Sequence, residues 1–488
     1  MPAVTLGPVL GHAFGQRYES PVPLSLFVLG GALVVLLSFA LVVRREVIAP
    51  VKLPPQEEVV TPRGNAGAMA ISLLFLAFLI YAGLVGSQSV PDNIVPTVFW
   101  VYIWVVLPLS VGLLGDFTGP INPYAAIARL AGSTRARKLV LGSEQPLAWP
   151  KWLGYWLAVL LYFLVVIGEL VVNQQATLPR VSAVAFLIYA VLCAVGGLVF
   201  GADAWCGRGE MFTVLFATWG KLGFFRFRAH GKRGFAGGFE VPFEASPSRV
   251  TFTLLLLVSV TFDGLLSTPQ WKRFTDSLPG SIQPGNAENT VVATLALIFL
   301  TAVMLTLFGA FAMAAARAGK HGETALGALT GLLPSLVPIA FGYLLAHYSQ
   351  YILINGQLLI PLLGDPLGTG TSFLPYPFTG DYEVNTGIMP TSVVWYVQIV
   401  IIVIAHIFAV VLAHRYLVIR SSEPTLARRS EWPWLVAMVG YTMVSLWLLA
   451  QPLIKEPSSS SNQQASSMAR ISSPMAVAVA PDARPPSP

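Results

Sequence analysis

Apolar runs near twenty residues long recur along this chain, separated by short polar or basic segments. Each is long enough to cross a bilayer as a helix. Ten such runs cover residues 24–43, 67–86, 97–115, 152–172, 181–201, 250–266, 291–314, 327–351, 391–414 and 434–453. The connecting segments alternate in charge. Those holding Arg44 to Arg63, Arg129 to Lys151, Arg208 to Arg249, Arg317 with Lys320, and Arg415 to Arg429 carry 22 of the 29 lysines and arginines. All five fall on one side of a ten-span bundle. The opposite side has Arg17, the turns at 87–96 and 173–180, the loop with Lys272 and Arg273, and a long loop, 357–390, without lysine or arginine. Basic loops are retained in the cytoplasm, so both termini are expected outside it.

The expected fold is therefore an all-α, polytopic transmembrane helix bundle. An extracytoplasmic segment, 1–23, precedes a ten-span domain, 24–453. A tail rich in Ser, Pro and Ala, 454–488, cannot bury a core and is expected to be disordered. No separate signal peptide is visible in the short N-terminal segment, which contains Pro8, Pro21 and Pro23.

Composition agrees with that pattern. Of 488 residues 55% are hydrophobic and 11% charged, less than half the roughly 25% charge typical of soluble domains. The mean hydropathy is +0.70. These values exclude an ordinary soluble domain and a disordered chain, and two cysteines exclude a disulfide scaffold. Cys193 lies within a run and Cys206 at the cytoplasmic end of it, so no disulfide is expected. The net charge of +6 reports topology and does not call for nucleic acid as a partner.

Two stretches, 97–172 and 181–268, share a plan. In the first, Leu114-Gly115-Asp116 ends a span and Asn122-Pro123 opens an amphipathic stretch. In the second, Gly201-Ala202-Asp203 ends a span and a Gly-rich turn leads into a stretch with Phe212, Leu215, Phe216 and Trp219 at helical spacing. A basic linker and another span follow in each. This order suggests parallel internal repeats with Glu169 and Asp263 at equivalent positions.

Ionisable residues inside a bilayer are costly, so each needs a partner or a task. Tyr155, Tyr162 and Glu169 recur every seven residues, with Asn173 four beyond the acid. Ser259, Asp263 and Ser267 recur every four. Both stripes are expected to face protein or water. In the eighth run Pro334 and Pro338 predict a kink, followed by Tyr343, His347, Gln350 and Tyr351 on one face. Carboxylates and a histidine at similar depth form a candidate ligand set for Zn or another transition metal, or a proton path; acids hydrogen-bonded to neighbouring helices are the structural alternative. His12, in the segment before the first run, is a candidate fourth ligand. Gln398, His406 and His414 lack the spacing and the paired helix of a bis-histidine cytochrome, so no haem is expected. The long loop after Gln357 is a candidate cap over the same end.

No phosphate-binding P-loop, GxSxG, CxxC or HExxH motif is present. The segments Gly11-His12-Ala13-Phe14-Gly15-Gln16-Arg17-Tyr18, Gly115-Asp116-Phe117 with Asn122-Pro123-Tyr124, Phe262-Asp263-Gly264, Ala346-His347-Tyr348 and Val439-Gly440-Tyr441-Thr442 together resemble a family of bacterial multi-pass membrane proteins known as fenitrothion hydrolases. That resemblance implies hydrolysis of apolar organophosphorus triesters in a bacterial inner membrane. Under it Asp263, Glu169 and His347 are the expected catalytic groups. They are also the expected ligands, with His12, of a divalent metal that would activate water. An apolar small molecule is the expected substrate. Two other classes stay open: a proton- or cation-coupled transporter or channel, and a noncatalytic subunit that pairs with a second membrane subunit or another copy through its small-residue faces.

Overall fold

A computed structural model describes residues 28–33, 36–37, 65–225, 234, 236–279 and 287–450. Within them the chain is helical, with no β-strand assigned. The principal helices are α1 (Ala66–Val85), α2 (Ile94–Leu114), α3 (Pro123–Ala131), α4 (Trp156–Leu170), α5 (Pro179–Phe200), α6 (Met211–Trp219), α7 (Pro247–Leu266), α8 (Ala287–Ala318), α9 (Ala325–Asn355), α10 (Thr391–Arg420) and α11 (Pro424–Ala450).

Among the described residues, seven helices are long and apolar enough to cross a membrane: α1, α2, α5, α7, α8, α9 and α10. The chain is a multi-pass membrane protein of the all-α class. The fourth expected span is shorter than its apolar run, 15 residues in α4. Its first residues, Trp152 to Tyr155, form turns instead. The described part of the tenth run, 434–450, lies in α11, which starts ten residues earlier than expected and takes in Arg428, Arg429 and Glu431. The first run, the 1–23 segment and the 454–488 tail lie wholly or largely outside the described residues.

Helix starts follow local chemistry. Asn65, Asn122, Ser246 and Thr324 each turn a side-chain oxygen back onto an early helical N–H, and proline takes the first position of α3 and α7. Gly115 and Gly201, at the ends of α2 and α5, have φ of 118° and 82°. Side chains rarely tolerate that backbone, so glycine lets each span turn abruptly into the segment that follows. α9 continues through both Pro334 and Pro338.

The two stretches of shared plan interlock. α3 packs on α5 and α6 on the last turns of α2, so each short helix lies against the long helix of the other stretch. Their caps also meet. Asn122 Oδ1 accepts from the N–H groups of Tyr124 and Ala125, while Glu210 accepts from those of Phe212 and Thr213. Asn122 Nδ2 then donates to Glu210 Oε2 at 3.0 Å. Glu210 is fully buried, and Tyr189 donates to its other oxygen at 2.6 Å.

Burial separates central from peripheral helices. The most apolar windows of α7 and α9 are 89% and 78% buried inside the protein, against 28% for α1 and α5 and 22% for α8. α7 packs against α4, α8, α9 and α11, and α9 packs against α10 as well. The candidate acids and histidine sit on or against this central pair.

Candidate functional site

Asp263 lies in the last turn of α7 and Glu169 next to the end of α4. His347 and Tyr348 lie in the last third of α9, and Trp104 in the middle of α2. Five residues from four helices therefore converge in the half of the bundle away from the basic loops.

They form one hydrogen-bonded chain. Trp104 Nε1 donates to Glu169 Oε2 at 2.6 Å. The Tyr348 hydroxyl donates to Glu169 Oε1 at 2.7 Å and lies 3.2 Å from Asp263 Oδ2. His347 Nε2 is 2.7 Å from that same Asp263 oxygen. Asp263 and His347 are buried, 4% and 5% exposed, and Glu169 is half-buried. The Trp104 ring also lies over Tyr162, with centroids 5.5 Å apart.

The two polar stripes face each other, meeting at Tyr162 and Ser259, whose hydroxyls are 3.0 Å apart. Farther along the same faces, Tyr348 bridges Glu169 and Asp263. A cavity of about 30 Å³ lies among Trp104, Tyr162, Glu169, Ser259 and Tyr348. That is room for one or two waters with polar groups to hold them. Asn173 Nδ2 donates to the Glu169 carbonyl, and Ser267 Oγ to the Asp263 carbonyl at 3.3 Å.

Backbone packing positions the chain. Gln398 of α10 donates to the Ala346 carbonyl at 2.9 Å, beside His347. Tyr102 of α2 donates to the Gly356 carbonyl at 2.8 Å. A Cβ on Gly342 would lie 2.3 Å from that of Ala405, so the glycine lets α9 and α10 approach. The segment Thr97–Val106, around Trp104, is wound in wide turns, with the Leu107 N–H reaching back five residues to the Tyr102 carbonyl. Such turns commonly occur at functional sites.

Glu169, Asp263 and His347, singled out from sequence, thus come together, joined by Tyr348. Tyr351 packs edge-on against the Tyr348 ring, with centroids 5.7 Å apart. The hydroxyl of Tyr343 has no hydrogen-bond partner among the described residues. Tyr348 and Trp104 were missed. His406 Nδ1 bonds the Ile402 carbonyl of its own helix, and His414 pairs with Glu431 at 2.5 Å near the basic end. Neither takes part in the chain.

The donor set fits a hydrogen-bonded relay and not a metal shell. Two ligands held by tetrahedral bonds of about 2.1 Å would stand about 3.4 Å apart. His347 and Asp263 are closer, in direct contact at 2.7 Å, and both Glu169 oxygens accept from Trp104 and Tyr348. Among the described residues no group of three or more His, Cys, Asp and Glu side chains is arranged to hold a metal ion. His12 lies outside the described residues.

No protein-family model matches this chain, and no curated protein or solved structure matches it.

Proposed function

We propose that this chain is a proton-coupled transporter of the bacterial inner membrane, with its basic loops in the cytoplasm and Glu169, Tyr348, Asp263 and His347 as its proton path. The observation that carries this reading is one hydroxyl, Tyr348, set between oxygens of two carboxylates. A proton on Glu169 passes to the Tyr348 oxygen as the hydroxyl proton leaves for Asp263 Oδ2. The net result is one proton moved from one acid to the other, with tyrosine unchanged. His347 then takes the proton from Asp263 on Nε2 if that nitrogen is free of hydrogen. Water in the adjoining cavity supplies Glu169.

Intramembrane acids at the interface of central helices are a recurring feature of proton relays and secondary transporters. The cavity beside Glu169 has room for water but not for a phosphotriester. The hydrolase reading has one specific support, the contact between His347 and Asp263, which meets that cavity through Tyr348. A histidine held by a carboxylate can serve as a general base toward water. Under that reading the substrate must reach the site through a rearrangement of α2 or α9.

Proton flux decides between them. Purified protein in vesicles enclosing a pH-sensitive dye is given a membrane potential. The expected result is protein-dependent proton entry, lowered at least about tenfold by Asp263→Asn. Entry unchanged by the substitution would remove the transporter reading. Release of nitrophenol from fenitrothion that depends on Asp263, with no proton entry, would favour the hydrolase.

A further inference from the structure

A second cavity, far larger than the one at Glu169, lies on the other side of α2. Its volume is about 420 Å³, within the roughly 300–1,000 Å³ range of small-molecule sites. Its walls are almost wholly apolar. Phe75 of α1, Ile103 of α2, Phe186 of α5, and Phe212 and Phe216 of α6 are among its walls.

Three observations say what belongs there. First, the cavity follows α1 from Ala68 to Leu79, a length of about 16 Å at 1.5 Å per residue. Its lining spans about three turns of that helix. Second, water has little to bind. Asn122 spends its oxygen on the start of α3 and its amide on Glu210 and Thr213, and Thr118 bonds Asp116. Third, the rim belongs to the lipid-facing surface: Ile71 is 70% exposed, Phe75 44% and Ile121 46%.

The lining has a direction. Ala68, Ile121 and Asn122 lie near helix ends on the side of the basic loops, whereas Leu79, Phe99 and Phe186 lie deeper in the bundle. A molecule entering along the rim would keep its polar end near the interface. Its apolar part would replace side-chain contacts that an empty cavity forfeits.

We propose that this cavity is a site for one acyl chain of a bilayer phospholipid, drawn from the leaflet facing the basic loops. The lipid wedges between α1 and the α2–α6 pair and fills the groove beside Asn122. It is held by apolar burial along its length, and its headgroup stays at the membrane surface. The site is separate from the proton path and does not depend on that reading.

The test uses the full chain in phosphatidylcholine vesicles doped with a phosphatidylcholine that carries a diazirine in one acyl chain. After irradiation, adducts are located by mass spectrometry of the digested protein. The expected result is labelling of Phe212 and Phe216 on the inner wall, and also of Ile188, which is 64% exposed on the outside of α5. Ser72→Phe, filling the cavity beside α1, is expected to abolish the inner adducts and leave Ile188 labelled. Ala68→Phe, at the mouth, is expected to do the same, and stands in if the first variant does not fold. Label on Ile188 alone in the wild type would overturn the proposal. So would inner-wall label that survives both substitutions. Inner-wall label from a free apolar diazirine and none from the phospholipid would assign the cavity to a small molecule, also against the proposal.

Discussion

Tyr348 has one hydroxyl proton and two carboxylate oxygens within reach, so it can satisfy only one of them at a time. When it donates to Asp263, Glu169 keeps the Trp104 N–H, and when it donates to Glu169, Asp263 keeps its contact with His347. Glu169, Asp263 and His347 could be read from sequence because an ionisable side chain in a twenty-residue apolar run carries a penalty that demands a reason. Tyr348 and Trp104 carry no such penalty. Tyrosine and tryptophan are ordinary packing residues in membrane helices, and only the positions of α2 and α4 against α9 make these two chemical. The adjacency of Tyr348 to His347 was the one local signal for it. A different residue-scale effect lies outside the spans. His321 is half-buried between α8 and α9, its ring 2.9 Å from Ser421 Oγ, and burial together with nearby Arg420 lowers its pKa from the usual 6.5. The unfolded chain therefore binds a proton that the fold resists, and stability falls as pH drops below about 6.5. Thermal unfolding followed from pH 7.5 to 5, in steps of about half a unit, is expected to show a shallower acid decline in His321→Gln. An equal decline in both proteins would assign the effect to other groups.

At the scale of elements, capping and glycine explain how the framework is assembled. The Asn122-Pro123 start was legible, as was the turn at Gly115, because cap chemistry is local. Salt bridging or capping is the role that the sequence offers for Glu210 among its basic neighbours, and it is a cap. Its two oxygens take two backbone N–H groups, Tyr189, Thr213 and Asn122, a set that exists only once α3 and α6 lie against the opposing long helices. Glu210→Ala leaves these donors buried without an acceptor. Losing one such partner costs about 1–3 kcal/mol, so several together are expected to lower the melting temperature in detergent markedly. An unchanged melting temperature would show that the crossed caps do not hold the fold. The short α4 is another element that hydropathy misjudged. Trp152 to Tyr155 read as the start of a span, but Trp149 Nε1 bonds the Gly154 carbonyl and Ser248 Oγ receives the Tyr155 N–H. Those bonds satisfy the backbone in turns instead of a helix.

For the whole molecule, apolar run length was enough to identify a multi-pass helical bundle, because satisfying backbone groups in lipid leaves few other choices. Run length could not say which helices are central. That follows from burial around α7 and α9, which are no more hydrophobic than the lipid-facing α1, α5 and α8. Their buried faces are where Asp263 and His347 lie. Glu169, Tyr348 and Asp263 are expected to act in series across this central interface and not as independent charges. The most direct test is a double-substitution cycle on proton flux in vesicles, using Tyr348→Phe, Asp263→Asn and both together. Steps in series give a double variant no slower than the worse single one. Losses that multiply, or a Tyr348→Phe protein with wild-type flux, would contradict the relay.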